Sequence, residues 1–157
     1  MRYLEPSGTA LRLPVIGQGT WGFGEDPRRH RQEVEALREG FERGMTLVDT
    51  AELYGAGESE RVVGDAIADC RDSVFLITKI WPNHAEPDAM RRALEASLRR
   101  MRTDRVDVCL LHWPTTAVPL PGTVPAHGQG TAAGSSGRGT GRRTPHDQTP
   151  CLHLLSC

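Results

Sequence analysis

Three times between residues 46 and 112 an apolar run of strand length ends on an ionisable side chain, and an amphipathic helix separates each run from the next. Asp49, Lys79 and His112 close these runs, 30 and 33 residues apart, about one βα unit each. A chain that alternates strand and helix through short connections builds a parallel sheet covered by helices, with right-handed crossovers. Counting in twos puts Asp49 on the face of Leu47, Lys79 on that of Phe75 and Ile77, and His112 on that of Val108 and Leu110. Neighbouring parallel strands lie roughly 4.8 Å apart, so three polar groups ending three apolar stripes converge at one end of the sheet. In an α/β barrel that end carries the chemistry. Each residue alone has an ordinary reading. A strand-ending Asp caps a loop, a Lys reaches solvent, and a lone His is structural. Coincidence on successive strands is what points to a site.

The intervening segments fit this plan. Val34, Leu37 and Phe41 fall at helical spacing over 27–43, and Gly44 stops that helix. A second helix is predicted over 59–70 from the pairs Val63/Ile67 and Ala66/Cys70, and a third after Pro87 from the stripe Met90, Leu94, Leu98, Met101. Ahead of them, Ser7-Gly8 supplies a hairpin turn, and Val15 to Gly19 reads as a buried strand entering a glycine-rich loop. That loop contains Gly17-x-Gly19-x-x-Gly22, the literal dinucleotide fingerprint. The fingerprint works only if a helix opens among the glycines. Here Phe23 to Pro27 intervene, with Asp26 as the cap and Pro27 in the first turn. The simpler reading is a strand ending in a loop whose backbone approaches a ligand.

A chain of 157 residues is long enough for one domain with a real core. A formal net charge of -1 gives no reason to expect a nucleic-acid partner. No apolar leader follows Met1 and no apolar run is long enough to span a bilayer, so a cytoplasmic location is expected. Cys70 and Cys109 sit inside apolar patterns and read as small hydrophobes. Cys151-x-His153 and Cys157 lack the paired spacing of a zinc site, and no metal is expected.

Around this frame the sequence resembles the aldo-keto reductases, (β/α)8 barrels that reduce carbonyls with a nicotinamide cofactor. The resemblance rests on Gly17-Gln-Gly-Thr-Trp-Gly, Thr46-Leu-Val-Asp-Thr-Ala-Glu-Leu-Tyr-Gly, Ser59-Glu-Arg-Val-Val-Gly, Leu76-Ile-Thr-Lys and Val106-Asp-Val-Cys-Leu-Leu-His-Trp-Pro. These stretches stand in family order and at family spacing over about residues 1–115. The resemblance implies a catalytic tetrad of Asp49, Tyr54, Lys79 and His112. Tyr54 would give a proton to the carbonyl oxygen, Asp49 would hold Lys79, and His112 would orient the carbonyl. A free tyrosine, with a pKa of about 10, gives up its proton reluctantly at neutral pH. A lysine about 4 Å away favours its phenolate by roughly 4 kcal/mol at an effective dielectric near 20, before desolvation. The resemblance further implies NADP(H) ahead of NAD(H), with Gly19, Thr20, Trp21 and Asp49 on the cofactor side, and a small aldehyde or ketone as substrate.

After about residue 115 the pattern changes. Between Val124 and Cys151 there is no large apolar side chain, and Gly, Pro, Ser and Thr dominate. Residues 116–157 are therefore expected to form a disordered, low-complexity tail, as an altered reading frame would produce. A full barrel takes about 250 residues. The expectation is a half barrel of four parallel strands and three helices behind an N-terminal hairpin. Its edges and inner face would be open to self-association. Such a chain would have an incomplete cofactor site and would reduce no carbonyl at a useful rate. The alternative is a non-catalytic remnant or accessory module of the same fold.

Overall fold

A computed structural model of the chain describes residues 1–6 and 12–114. The expected turn at Ser7-Gly8 and the expected tail lie outside the described residues.

The described chain opens with an antiparallel pair, β1 (Tyr3–Leu4) and β2 (Leu13–Pro14). It continues as β3 (Gln18–Gly19), α1 (His30–Glu42), β4 (Leu47–Asp49), α2 (Glu58–Ile67), β5 (Phe75–Ile80), α3 (Pro87–Met101) and β6 (Val108–Leu111). Strands β3 to β6 form one parallel sheet in sequential order. Successive helices pack against one another, α1 on α2 and α2 on α3. Sequential strands under a single run of helices make a barrel wall; a doubly wound sheet would reverse its strand order and cover both faces.

Burial follows the same logic. Val48, Leu76, Thr78 and Ile80 are fully buried, and all but Thr78 join Val34, Leu37, Val62, Val63, Ile67, Met90 and Met101 in one core. On the opposite face Leu47, Phe75 and Ile77 are only half-buried. Both Leu94 and Leu98 of the expected α3 stripe flank the core, while Ala93 and Ser97 share its buried side.

Two expectations need correction. Val15 to Gly19 is not a buried strand: only Gln18–Gly19 pairs with β4, and Val15 and Ile16 are exposed. The cause is competition for backbone, because the Val15 amide donates to Arg2 O (3.1 Å) and extends the hairpin instead. The second helix stops at Ile67, and Cys70 lies in the following turn, part-buried. Cys109 is fully buried as expected, and burial pushes its thiol up to about 12, so it stays a thiol.

The glycine-rich loop is not a dinucleotide turn. Asp26 caps a short 3-10 turn, Pro27–Arg29, and only then does α1 begin. The loop is instead pinned against the start of α2. Gly24 has φ 76°, and a Cβ there would lie 2.6 Å from the Glu58 carbonyl carbon. Its amide donates to the buried Glu33 carboxylate (2.9 Å). Glycine serves here because the backbone must turn left-handed and pass within contact of a helix.

Candidate active site

Pairing register explains how strand ends become a site. Asp49 pairs with Ile77, and Lys79, two residues further along β5, pairs with Leu110. His112 lies two residues beyond Leu110. Each step to the next strand therefore climbs by two residues on one face, the stagger expected of tilted barrel strands. A lysine side chain is long enough to span that step. Lys79 Nζ reaches back to Asp49 Oδ2 at 2.6 Å.

The ammonium of Lys79 has three hydrogens to donate and nothing to accept with. It meets three acceptors: Asp49 Oδ2, the Thr50 carbonyl at 3.1 Å and the Tyr54 hydroxyl oxygen at 3.2 Å. Tyr54 must accept in this contact, so its own O–H remains to be donated elsewhere. Tyr54 is held by the turn after β4. Its amide donates to Ala51 O (3.1 Å). Gly55, Ala56 and Gly57 then follow with φ of 55°, 53° and 93°. Ala56 takes a left-handed conformation that side chains disfavour.

His112 stands edge-on to Tyr54, ring centroids 5.6 Å apart at 86°. Its amide donates to Ile80 O (2.9 Å), continuing the ladder past β6. Nδ1 is buried and has no hydrogen-bond partner among the described residues. An orphaned buried N–H is rarer than an orphaned lone pair, which assigns the proton to Nε2, the nitrogen left to engage a ligand. Burial, followed by the neighbouring Lys79 charge, lowers the imidazole pKa; Asp49 and Glu52 oppose this more weakly. The ring is neutral at neutral pH.

Beneath the corner lies a fully buried hydroxyl cluster. Ser59 Oγ donates to Thr20 Oγ1 (2.7 Å) or to the Thr20 carbonyl (3.1 Å), and lies 3.2 Å from Thr50 Oγ1. The Thr20 hydroxyl and amide both donate to Asp49 O, at 3.1 and 3.0 Å. Thr20 was expected to face a cofactor. Its side chain is fully buried, so it is a strut tying β3 to Asp49 and α2. Gly19, by contrast, has nothing within 4 Å of where a side chain would sit, and Trp21 is 80% exposed.

The motifs did not single out two further features. Trp81 and Trp113 follow β5 and β6 and are exposed, as is Trp21 after β3, already expected on the cofactor side; their signal was adjacency to the strand ends. The Glu52 side chain is 9% exposed and accepts from the Trp81 amide (2.5 Å). Its partners lie some thirty residues away in a loop, and no local pattern announces them.

The chain matches the Aldo/keto reductase family over residues 15–136, some twenty residues beyond the stretch that carries the motifs. Methylglyoxal reductase YeaE of Escherichia coli (strain K12) is 52% identical over 103 residues, 66% of this chain and 36% of that protein. Aldo-keto reductase YhdN of Bacillus subtilis (strain 168) is 36% identical over 133 residues, covering 76% of this chain and 40% of YhdN. An aldo/keto reductase from Klebsiella pneumoniae, solved with NADP and acetate, is similar at TM-score 0.72 and 50% identity, covering 74% of this chain and 41% of that one. The thermostable aldo-keto reductase Tm1743, solved with the inhibitor epalrestat, matches at TM-score 0.77 and 42% identity, covering 80% of this chain and 48% of that one. The chain thus spans about 36–40% of these two curated relatives.

Proposed function

The chain belongs to the aldo/keto reductase family, and on that premise we propose that its strand-end corner is the proton-transfer half of an NADP(H)-dependent carbonyl reductase site. The observation that carries the reading is the threefold coordination of Lys79 by Asp49, Thr50 and Tyr54 beside His112. A reduced nicotinamide, when bound, supplies the hydride. Gly19, Trp21 and Asp49 fit a planar group on their side of the corner, because the surface at Gly19 is open and the indole stands exposed next to it. NADP(H) is favoured over NAD(H) by the Klebsiella pneumoniae structures, solved with NADP and with NADPH.

Tyr54 donates its O–H to the carbonyl oxygen. The oxygen it leaves charged faces the Lys79 ammonium at 3.2 Å, in a site where a fixed charge is worth more than in water. Asp49 and the Thr50 carbonyl keep that ammonium in place. The Nε2–H of neutral His112 gives the same carbonyl oxygen a second hydrogen bond and sets its direction. Trp21, Trp81 and Trp113 provide apolar walls for a small aldehyde or ketone. A 2-oxoaldehyde is the first substrate to test, since the relative from Escherichia coli is a methylglyoxal reductase. A cytoplasmic location belongs to the same reading.

Contacts that the resemblance assigns to the second half of a barrel lie beyond this chain's motifs, so activity of the isolated chain is impaired. We expect slow NADPH oxidation with methylglyoxal, falling about 100-fold or more in Tyr54→Phe. Turnover that survives this substitution would sink the proposal. The chain's short coverage of its relatives favours one other reading, a non-catalytic module of the same fold. NADPH binding equal in parent and Tyr54→Phe, with no turnover in either, would assign it.

A further inference from the structure

We propose that Glu52 is a positioning residue that fastens Trp81 to the catalytic loop and thereby sets the width of the substrate entrance. The consequence for substrate rests on the carbonyl-reductase reading; the fastening itself does not.

Glu52 lies on the loop between Asp49 and Tyr54, yet its bonds go to the exit of β5. Its amide donates to Lys79 O (3.2 Å), and its Oε1 accepts from the Trp81 amide at 2.5 Å and lies 2.9 Å from His84 Nδ1. A carboxylate this buried is costly unless hydrogen-bonded and paired. Here its bonds come from Trp81 and His84, two residues of one short turn. The turn is itself stiff. Trp81 is extended (φ -65°, ψ 139°), Pro82 fixes the next φ, and the His84 amide returns to Trp81 O at 2.8 Å. The Trp81 indole then rests edge-on to His84, centroids 6.4 Å apart. The result is a rigid hook whose two ends close on one carboxylate.

Tyr54 and Trp81 are therefore not independent walls. Tyr54 is two residues beyond Glu52, and Trp81 is two residues beyond Lys79. Lys79 joins the two segments at the tetrad, and Glu52 adds a separate charge-assisted bond that reaches Trp81 itself. Loosening it leaves the tetrad bonded but lets the indole move away from the acid. Binding of the carbonyl suffers, and proton transfer does not.

The test compares Glu52→Ala and Glu52→Gln in the full 157-residue chain. Residue-resolved amide exchange reads the fastening. Glu52→Ala should speed exchange at Trp81 about tenfold or more, the loss of a bond to a charged acceptor, while Thr78 and Ile80 hold. Glu52→Gln, which keeps an oxygen acceptor, should restore most of the protection. Steady-state kinetics read the consequence, with KM for the aldehyde raised in Glu52→Ala and kcat little changed. Unaltered Trp81 exchange, or acceleration spread evenly through β5 and α3, would overturn the proposal. So would a KM equal to the parent's. Lack of turnover in the parent counts against the reductase reading alone, and exchange then decides the fastening by itself.

Discussion

Lys79 is the only lysine in a chain with 19 basic residues, and it stands where an arginine would not serve. A compact ammonium meets a carboxylate, a carbonyl and a phenol oxygen at three different angles; a planar guanidinium presents its donors as a fixed fork. Residue type and strand-end position together made this site legible in the sequence. The hydroxyl of Thr20, a residue expected on the cofactor side, turns inward to Ser59 and Asp49; motif matching carries no information about side-chain direction. His112 offers a titration test. Between the ordinary imidazole value, about 6.5, and its lower value in the fold, the unfolded chain takes up a proton that the folded chain refuses. Stability is therefore lost as pH falls through that window and is complete above it. We expect the urea midpoint to drop between pH 7.5 and 5.5, and the drop to be smaller in His112→Gln. An equal drop in both would place the titrating group elsewhere. The charges facing His112 are Lys79, Asp49 and Glu52, and the variant leaves all three in place.

At the level of elements, the helix layer is registered by a charge that no periodicity reveals. Glu60 of α2 is fully buried, accepting from Thr78 of β5 (2.7 Å) and from Arg100 of α3 (2.6 Å). One carboxylate thus joins two helices and the strand carrying Lys79. Beside it the helices nearly touch, since a Cβ on Gly64 would lie 2.6 Å from Met101 O. The apolar stripes of α1, α2 and α3 were readable because helical periodicity survives in sequence. The Glu60 clamp was not, because its partners are 18 and 40 residues away. Arg100→Ala strips Glu60 of its counter-charge in a dry layer and should cost about 3–5 kcal/mol. Arg100→Ala combined with Glu60→Gln, which removes the stranded charge as well, should recover a large part of that loss. Chemical denaturation of both variants checks the pair. Equal destabilisation by the two would mean that the pairing contributes little.

At the largest scale, the described residues form a wall with one finished side. Its helix-facing surface is closed, whereas the opposite face carries half-buried Leu47, Phe75, Ile77 and Leu110, and among the described residues the sheet ends in two edge strands, β3 and β6. The order of strands and the covered face followed from the βα period; what covers the other face does not follow from any local pattern. Unpaired edges beside apolar surface favour association. Four parallel strands are also half of the eight that close a barrel of this kind. We therefore expect the isolated chain to self-associate. Its light-scattering mass should exceed one chain and rise with concentration. Ile77→Asn, which places a polar group on the open face, should lower that mass at equal concentration. Apolar association strengthens on warming from the cold, because its driving force near room temperature is entropic. The mass at 25 °C should accordingly exceed that at 5 °C. A single-chain mass at every concentration and temperature would overturn this expectation.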